Sequence, residues 1–333
     1  MMVSTGCGGN GRACCPVSYA IKVLLRGAGQ VMFQNSAWTG LLFLCGIAWG
    51  AWYEGRMDVA AGALVGLCAG TLAACLLGAP REEIEEGLHG YNGILVGCAL
   101  PVFLDSGALC WIMIVAGAFF STVIMMAVSR VFRSWKVSAM TGPFVFTTWF
   151  ILLASYSFSG FSASALPHPA LPSPQPDMLS FSGAVMFLHA SLAGVSQVFL
   201  IDNAVTGALF LAGLAAGSLS AALYGWAGSL IAMTAALLFG ADSAQVHAGL
   251  YQFSAVLTAV GIGTTFYHPG WRVALYTFLA TIFTVVAQGA LNAALAPLGI
   301  PTLTFPFVIA AWFFLLPHVA LEPEDRAASQ PSA

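Results

Sequence analysis

Charged residues are scarce in this sequence: 10 lysines and arginines and 13 aspartates and glutamates make up 7% of its 333 residues. A soluble globular domain has about 25% charged residues, and disordered chains are also poor in apolar residues. Here hydrophobic residues reach 59%, and the mean hydropathy is +0.88. These values exclude a soluble domain and a disordered chain. Because the net charge is −3, we expect no nucleic-acid partner.

Cysteine is missing from the last two thirds of the chain. Five of the eight cysteines lie in apolar segments, where they are interpreted as small packing residues: Cys45, Cys68, Cys75, Cys98 and Cys110. The others, Cys7, Cys14 and Cys15, lie in a Gly-rich N-terminal tail without a neighbouring histidine. The apolar segments contain no nucleophile–base group and no cluster of metal ligands. We therefore expect no enzymatic activity, no metal and no cofactor.

Long apolar blocks dominate the sequence, and a transmembrane helix needs about 20 such residues. Ten segments are predicted, in two sets of five: 36–53, 59–78, 88–104, 109–129 and 139–158, then 203–218, 220–240, 249–266, 271–292 and 302–317. A transmembrane β-barrel would instead show alternating polar residues. The predicted fold is an all-α polytopic membrane protein with about ten transmembrane spans.

The two sets of segments are separated by a linker, 159–182, which contains five prolines within residues 167–176 and therefore cannot be a regular helix. The predicted organisation has an N-terminal tail, a first repeat, the linker, a second repeat and a C-terminal tail: 1–20, 21–158, 159–182, 183–318 and 319–333.

The distribution of basic residues predicts the orientation. If successive loops lie on alternate sides of the membrane, Arg56 is the only basic residue on one side. The other nine fall on the opposite side: Arg12, Lys22, Arg26, Arg81, Arg130, Arg133, Lys136, Arg272 and Arg326. Cytoplasmic loops are enriched in Lys and Arg. Both termini are therefore predicted to be cytoplasmic, and the linker extracytoplasmic.

The two halves of the sequence contain similar segments in the same order. Residues 29–47 (GQVMFQNSAWTGLLFLCGI) and 196–214 (SQVFLIDNAVTGALFLAGL) share nine identities. Residues 137–153 (VSAMTGPFVFTTWFILL) and 300–316 (IPTLTFPFVIAAWFFLL) share eight. Because each half has five predicted spans, the second enters the membrane inverted. Inverted repeats place a substrate path at their interface, near the bilayer midplane.

Paired polar residues are candidates for lining this path. Gln30 and Gln197 lie near the start of two short segments, 29–35 and 196–203, which we interpret as half-membrane helices. Thr141 and Thr304 each precede a Pro-Phe pair, so the chain there is expected to be irregular and to leave carbonyl oxygens free. The alternatives are a helix-end glutamine bonded to loop backbone and a threonine bonded to its own helix.

Apolar residues flank these polar positions. Tyr91 and Leu95 are four residues apart, as are Phe253 and Leu257, so each pair shares a helix face. Phe33 follows Gln30, and Val198 follows Gln197. Elsewhere in a membrane protein such residues pack in the core or face lipid. Their placement beside polar positions in both halves makes them candidate walls of the path.

Acidic residues are missing from the middle of every predicted span, although coupled pumps generally need ionisable groups there. The path therefore suits a neutral solute that moves downhill, and urea is the simplest planar example. A channel for ammonia, short amides or water stays open as an alternative. So does a proton-coupled transporter that uses His89, His189 or His247.

Several motifs together resemble the urea transporter family: LRGAGQVMFQN at 25–35, GLHGYNG at 87–93 and the two Thr-x-Pro-Phe segments. The resemblance extends over roughly residues 22–317. It implies channel-like facilitated diffusion of urea, a homotrimer with one pore per protomer, and a location in the lipid bilayer of a bacterial inner (plasma) membrane.

Carried over by position, the resemblance implies a role for ten residues. Gln30 and Gln197 would lie at the two mouths of a filter, and Thr141 and Thr304 at its centre. The slot walls would be Phe33, Tyr91 and Leu95 near one mouth and Val198, Phe253 and Leu257 near the other. The sequence departs from the family pattern at 251–254 (YQFS) and at 137–138 (VS).

Overall fold

The computed structural model describes residues 16–163, 165–172 and 183–321. Cys7, Cys14 and Cys15, most of the two tails and part of the linker lie outside these ranges. All regular structure within the ranges is helical, which confirms the predicted all-α class. The first half contains α1 to α7: Pro16–Gln30, Ala37–Tyr53, Met57–Leu76, Arg81–Glu85, Gly90–Phe103, Ala108–Phe132 and Gly142–Ser155. The second contains α8 to α14: Ala184–Ser196, Ala204–Gly217, Leu219–Leu238, Ser243–His247, Phe253–Val260, Trp271–Leu295 and Phe305–Leu315.

Helix length separates two kinds of element. Among the described residues, α3, α6, α10 and α13 are long and apolar enough to cross a membrane alone, the second and fourth with a short helical extension. Helices α8 and α9 qualify only as one span bent by 73°. Five further apolar helices are shorter, so several of the ten predicted segments are not full-length straight helices.

The predicted half-membrane helices at 29–35 and 196–203 are instead chain reversals. Residue 30 ends α1, and residues 197–199 form one tight turn after α8. Phe33 and Leu200 then adopt left-handed backbone angles, with φ of 62° and 58°. This conformation is costly for a side chain with a Cβ and cannot continue a helix. Ser36 and Asn203 then cap α2 and α9 by accepting hydrogen bonds from the backbone N–H of Thr39 and Thr206.

Helices α2 and α9 pack through reciprocal contacts. A Cβ on Gly46 would lie 2.6 Å from the Phe210 ring, and a Cβ on Gly213 would lie 2.9 Å from the Phe43 ring. The two rings lie 5.1 Å apart between centroids. Each glycine thus makes room for the phenylalanine of the other helix, and the close crossing joins the two halves.

Helices α5 and α12 lie at the centre of the molecule. Residues Gly90 to Pro101 of α5 and the whole of α12 are buried. These helices contain the motif positions 91, 95, 253 and 257. The candidate site is therefore built on the most enclosed part of the fold.

Candidate functional site

Two buried threonine hydroxyls, one from each half of the chain, contact each other in the interior of the protein. The Oγ1 atoms of Thr141 and Thr304 lie 2.6 Å apart, within hydrogen-bond distance, and the residues are 3% and 2% exposed. They precede α7 and α14, so the first turns of these helices face one another. Neither hydroxyl caps its own helix. This geometry replaces the alternative in which each threonine bonds back to its own helix.

The sequence around each threonine explains this arrangement. Pro143 and Pro306 lie in the first turn of α7 and α14, where the missing N–H costs nothing. The chain before each helix is irregular, as expected, and reverses at Met140 and Leu303, with φ of 53° and 50°. The expectation of free carbonyl oxygens was wrong at one of these residues, because Tyr91 donates its hydroxyl to the Met140 carbonyl over 2.7 Å.

A cavity of about 630 Å³ approaches the threonine pair from the linker side, and Pro167 lies on its wall. Gln197, Val198, Phe253 and Thr304 line it. The cavity thus collects four predicted site residues from three separate segments of the second half.

A smaller cavity, of about 220 Å³, contains the corresponding residues of the first half. Gln30, Phe33, Tyr91 and Thr141 line it. The Phe33 ring packs edge-on against Phe266 and Phe307 of the second half, with centroids 5.7 and 5.9 Å apart. One threonine of the hydrogen-bonded pair therefore belongs to each cavity.

The remaining two predicted residues, Leu95 and Leu257, line neither cavity. Both are 0% exposed and belong to the main hydrophobic core. They lie one helical turn beyond Tyr91 and Phe253, on the same helix faces. The structure therefore places eight of the ten predicted residues on cavity walls and packs these two behind them.

Gln30 and Gln197 have matching hydrogen bonds. Gln30 donates from Nε2 to the Glu86 carbonyl over 3.0 Å, and Gln197 donates to the Ala248 carbonyl over 2.9 Å. This contact is the helix-end alternative considered from sequence, and the residues also lie on the cavity walls. Because the amide nitrogen faces a backbone acceptor, the carbonyl oxygen Oε1 is the group with acceptor capacity left for a solute.

The described residues of both walls include few ionisable groups. Among the described residues that line the two cavities, none is Asp, Glu, Lys or Arg. His189 and His247 stack with ring centroids 4.7 Å apart, and His89 lies 3.0 Å from a carboxylate oxygen of Glu83. None of these three histidines lines either cavity, but His168 of the linker lines the larger one. The walls therefore offer neutral polar groups, apolar surface and one titratable imidazole.

Sequence reasoning missed a polar group in the larger cavity, formed by Gln288, Asn292 and Thr302. Gln288 donates from Nε2 to the Asn292 Oδ1 over 2.9 Å and to the Thr302 Oγ1 over 2.6 Å. Two amides four residues apart in an apolar helix were the available signal, because they share one helix face. The duplication concealed them, since neither belongs to a motif shared by both halves.

Comparison with known proteins gives consistent matches. The family described as "Urea transporter" matches residues 21–319. Sheep Urea transporter 1 (Ovis aries) is 30% identical over 300 residues, which cover 88% of this chain and 76% of the sheep protein. Rat Urea transporter 1 (Rattus norvegicus) is 31% identical over 297 residues, with the same coverages.

These matches extend over both halves, and they include the glutamine reversals, both threonine loops and the helices that line the two cavities. The long apolar helices of the described ranges agree with an integral membrane protein. The chain belongs to the urea transporter family.

Proposed function

We propose that this chain conducts urea passively along a path formed by the two cavities and the threonine pair between them. The observation that carries the proposal is the pair of hydroxyls, 2.6 Å apart, with a cavity on either side. A solute that passes from one cavity to the other must separate or displace these hydroxyls.

The chemistry of the walls suits a flat neutral solute with N–H donors and a carbonyl acceptor. Leaving its polar groups unpaired in an apolar site would cost several kcal/mol. The Gln30 and Gln197 oxygens can accept from N–H groups at the mouths, and the threonine hydroxyls can both donate and accept at the centre. Phe33, which lies on one wall, gives an apolar surface for the face of the molecule.

The two halves are best explained as inverted repeats with both termini cytoplasmic. The reciprocal contacts of Gly46 with Phe210 and of Gly213 with Phe43 support a two-fold relation between the halves. The odd number of predicted spans and the bias of basic residues support the inversion. Cysteine labelling from each side of the membrane tests this topology; residues 54 and 218 exposed on the same side would contradict it.

The half-membrane elements are best assigned to α7 and α14. These helices begin at the threonine pair and have 14 and 11 residues. At 1.5 Å per residue, 11 residues extend over about 16 Å, roughly half of the bilayer core. With these elements counted, about ten helical segments enter the membrane. The homotrimer and the bacterial inner membrane stay predictions of the family resemblance, and native mass spectrometry of the purified protein tests the trimer.

Urea flux in proteoliposomes tests the proposal. A urea gradient across vesicles that contain the protein should collapse several times faster than across empty vesicles. A rate equal to that of empty vesicles would reject urea conduction.

Two further measurements separate the other candidate functions. Equal permeation by urea, acetamide, formamide, ammonia and water would indicate a general small-solute channel. Accumulation of urea against its gradient under an imposed proton gradient would indicate coupled transport. Because no Asp, Glu, Lys or Arg is among the described residues of the walls, equilibration without accumulation is the expected result, and His168 is the wall residue to replace if accumulation is observed.

A further inference from the structure

The larger cavity contains a polar cluster that the symmetry of the two halves does not explain. Helices α6 and α13 each have 25 residues. Gln288 lies 17 residues after Trp271, and Met125 lies 17 residues after Ala108. These two matching positions line different cavities, so one cavity has an amide where the other has a thioether.

Gln288 also has an unpaired polar atom. The residue is 2% exposed, and its Oε1 is buried without a hydrogen-bond partner. Of the described residues with such an atom, Gln288 is the only one that lines either cavity. Exchanging the amide oxygen and nitrogen would leave the nitrogen unpaired instead. Buried polar atoms in folded proteins normally have a hydrogen-bond partner, so this unpaired oxygen is a candidate partner for a ligand or a water.

The hydrogen bonds of the cluster define what it offers to a ligand. The Gln288 nitrogen uses both of its hydrogens on the Asn292 Oδ1 and the Thr302 Oγ1. Those oxygens act as acceptors, which leaves the Asn292 amide nitrogen and the Thr302 hydroxyl available as donors. The cluster thus combines one acceptor, the Gln288 Oε1, with two donor groups. This set complements a small amide, which has N–H donors beside a carbonyl oxygen.

We propose that Gln288, Asn292 and Thr302 form an additional binding site for urea or a similar small amide, ahead of the threonine pair. Thr302 is two residues from Thr304 along the chain, so a solute held here is next to the centre of the path. The inference rests on the proposed function, because it assigns a loading step to the larger cavity alone. The smaller cavity, with Met125 at the matching position, has no such step.

Urea flux at increasing urea concentration tests this site, with wild-type protein, Gln288→Met, Thr302→Val and Val286→Ala in matched proteoliposomes. Gln288→Met keeps the side-chain length and introduces the residue found at the matching position of α6. We expect the half-saturating urea concentration to rise about five- to tenfold, as for the loss of one or two hydrogen bonds, with an undiminished maximal flux. Thr302→Val should act in the same direction and decides the question if Gln288→Met does not fold. Val286→Ala, on an exposed position of α13, should leave both values unchanged.

The outcomes separate this inference from the proposed function. If wild-type protein conducts no urea, the proposed function fails. If wild-type protein conducts urea and both cluster variants keep its half-saturating concentration, the binding site is refuted. A lower maximal flux at unchanged half-saturation would also refute it, because that result indicates a purely structural role in holding the 300–304 loop.

Discussion

Trp149 donates a hydrogen bond from its indole Nε1 to the Pro301 carbonyl oxygen over 2.8 Å. The reciprocal contact is also present, because Trp312 donates to the Ser138 carbonyl over 3.1 Å. Each tryptophan belongs to the helix that follows one threonine, and each accepting carbonyl lies three residues before the other threonine. The two indoles therefore tie together the loops that bring Thr141 and Thr304 to 2.6 Å from each other. They also occupy carbonyl oxygens that we expected to be free.

Replacing both indoles by phenyl rings should loosen this connection. Trp149→Phe with Trp312→Phe keeps an aromatic ring on each helix and removes both N–H donors. Each lost hydrogen bond should cost about 1 kcal/mol in the free energy of unfolding, and urea flux should fall. Thermal unfolding in detergent and flux in proteoliposomes measure the two effects. Trp52→Phe, at an exposed tryptophan, is the control; a double variant as stable and as active as this control would contradict the prediction.

Glycines at the crossing of α1 with α2 and of α8 with α9 should tolerate no side chain. A Cβ on Gly40 would collide with the Leu25 carbonyl oxygen, and a Cβ on Gly207 would collide with the Leu192 carbonyl oxygen. Because backbone atoms must move to relieve the clash, Gly40→Ala and Gly207→Ala should each destabilise the protein by about 1–3 kcal/mol or more. Thermal unfolding tests this.

Gly289 provides the matched control for these substitutions. It also lies in a helix, but a Cβ there would have no neighbour within 4 Å. Gly289→Ala should leave the stability unchanged or raise it by up to about 1 kcal/mol, because alanine has the higher helix propensity. Equal effects at Gly40, Gly207 and Gly289 would show that the crossings are not as close as described.

The apolar segments of the sequence predicted the helical class. The paired site residues could be predicted because the same motifs occur in both halves. The comparison of the two halves identifies Gln30 with Gln197 and Thr141 with Thr304 as pairs. A residue type that recurs at matching positions of two diverged halves is a stronger signal than either position alone. The prediction failed where it depended on local geometry. Residues 29–35 were assigned to a helix, yet the left-handed Phe33 makes them a reversal.

Other parts of the site could not be predicted, for different physical reasons. Gln288 has methionine at its matching position, so the repeat comparison contained no information about it. The depth of Leu95 depends on how α5 packs against its neighbours, and helical spacing gives only the face on which a residue lies. Spacing therefore predicted the direction of Leu95 and Leu257 correctly relative to Tyr91 and Phe253, but not that they lie behind the cavity walls.

Leu95→Ala now has an expected effect on stability as well as on selectivity. Leu95 is fully buried, and a truncated leucine in a core leaves a cavity that costs about 2–5 kcal/mol. We expect a lower unfolding temperature together with weaker discrimination between urea and acetamide, because the residues in front of Leu95 lose their support. Leu76→Ala, at an exposed position on α3, should change neither property. Unchanged stability would mean that Leu95 borders open space rather than the core.

The threonine pair gives the most direct test of the path. Thr141→Val with Thr304→Val removes both hydroxyls, and methyl groups in contact need about 3.5–4.0 Å between carbons, more than the 2.6 Å between the hydroxyl oxygens. A urea molecule at the centre would then lose its polar partners, so flux should fall about tenfold, as for the loss of one to two hydrogen bonds. Thr141→Ser with Thr304→Ser keeps the hydroxyls and should retain most of the flux. Thr234→Val, at an exposed threonine that bonds back to the Leu230 carbonyl, controls for the substitution itself. Equal flux in the valine and serine double variants, both folded and of unchanged assembly, would mean that the solute crosses the protein by another route.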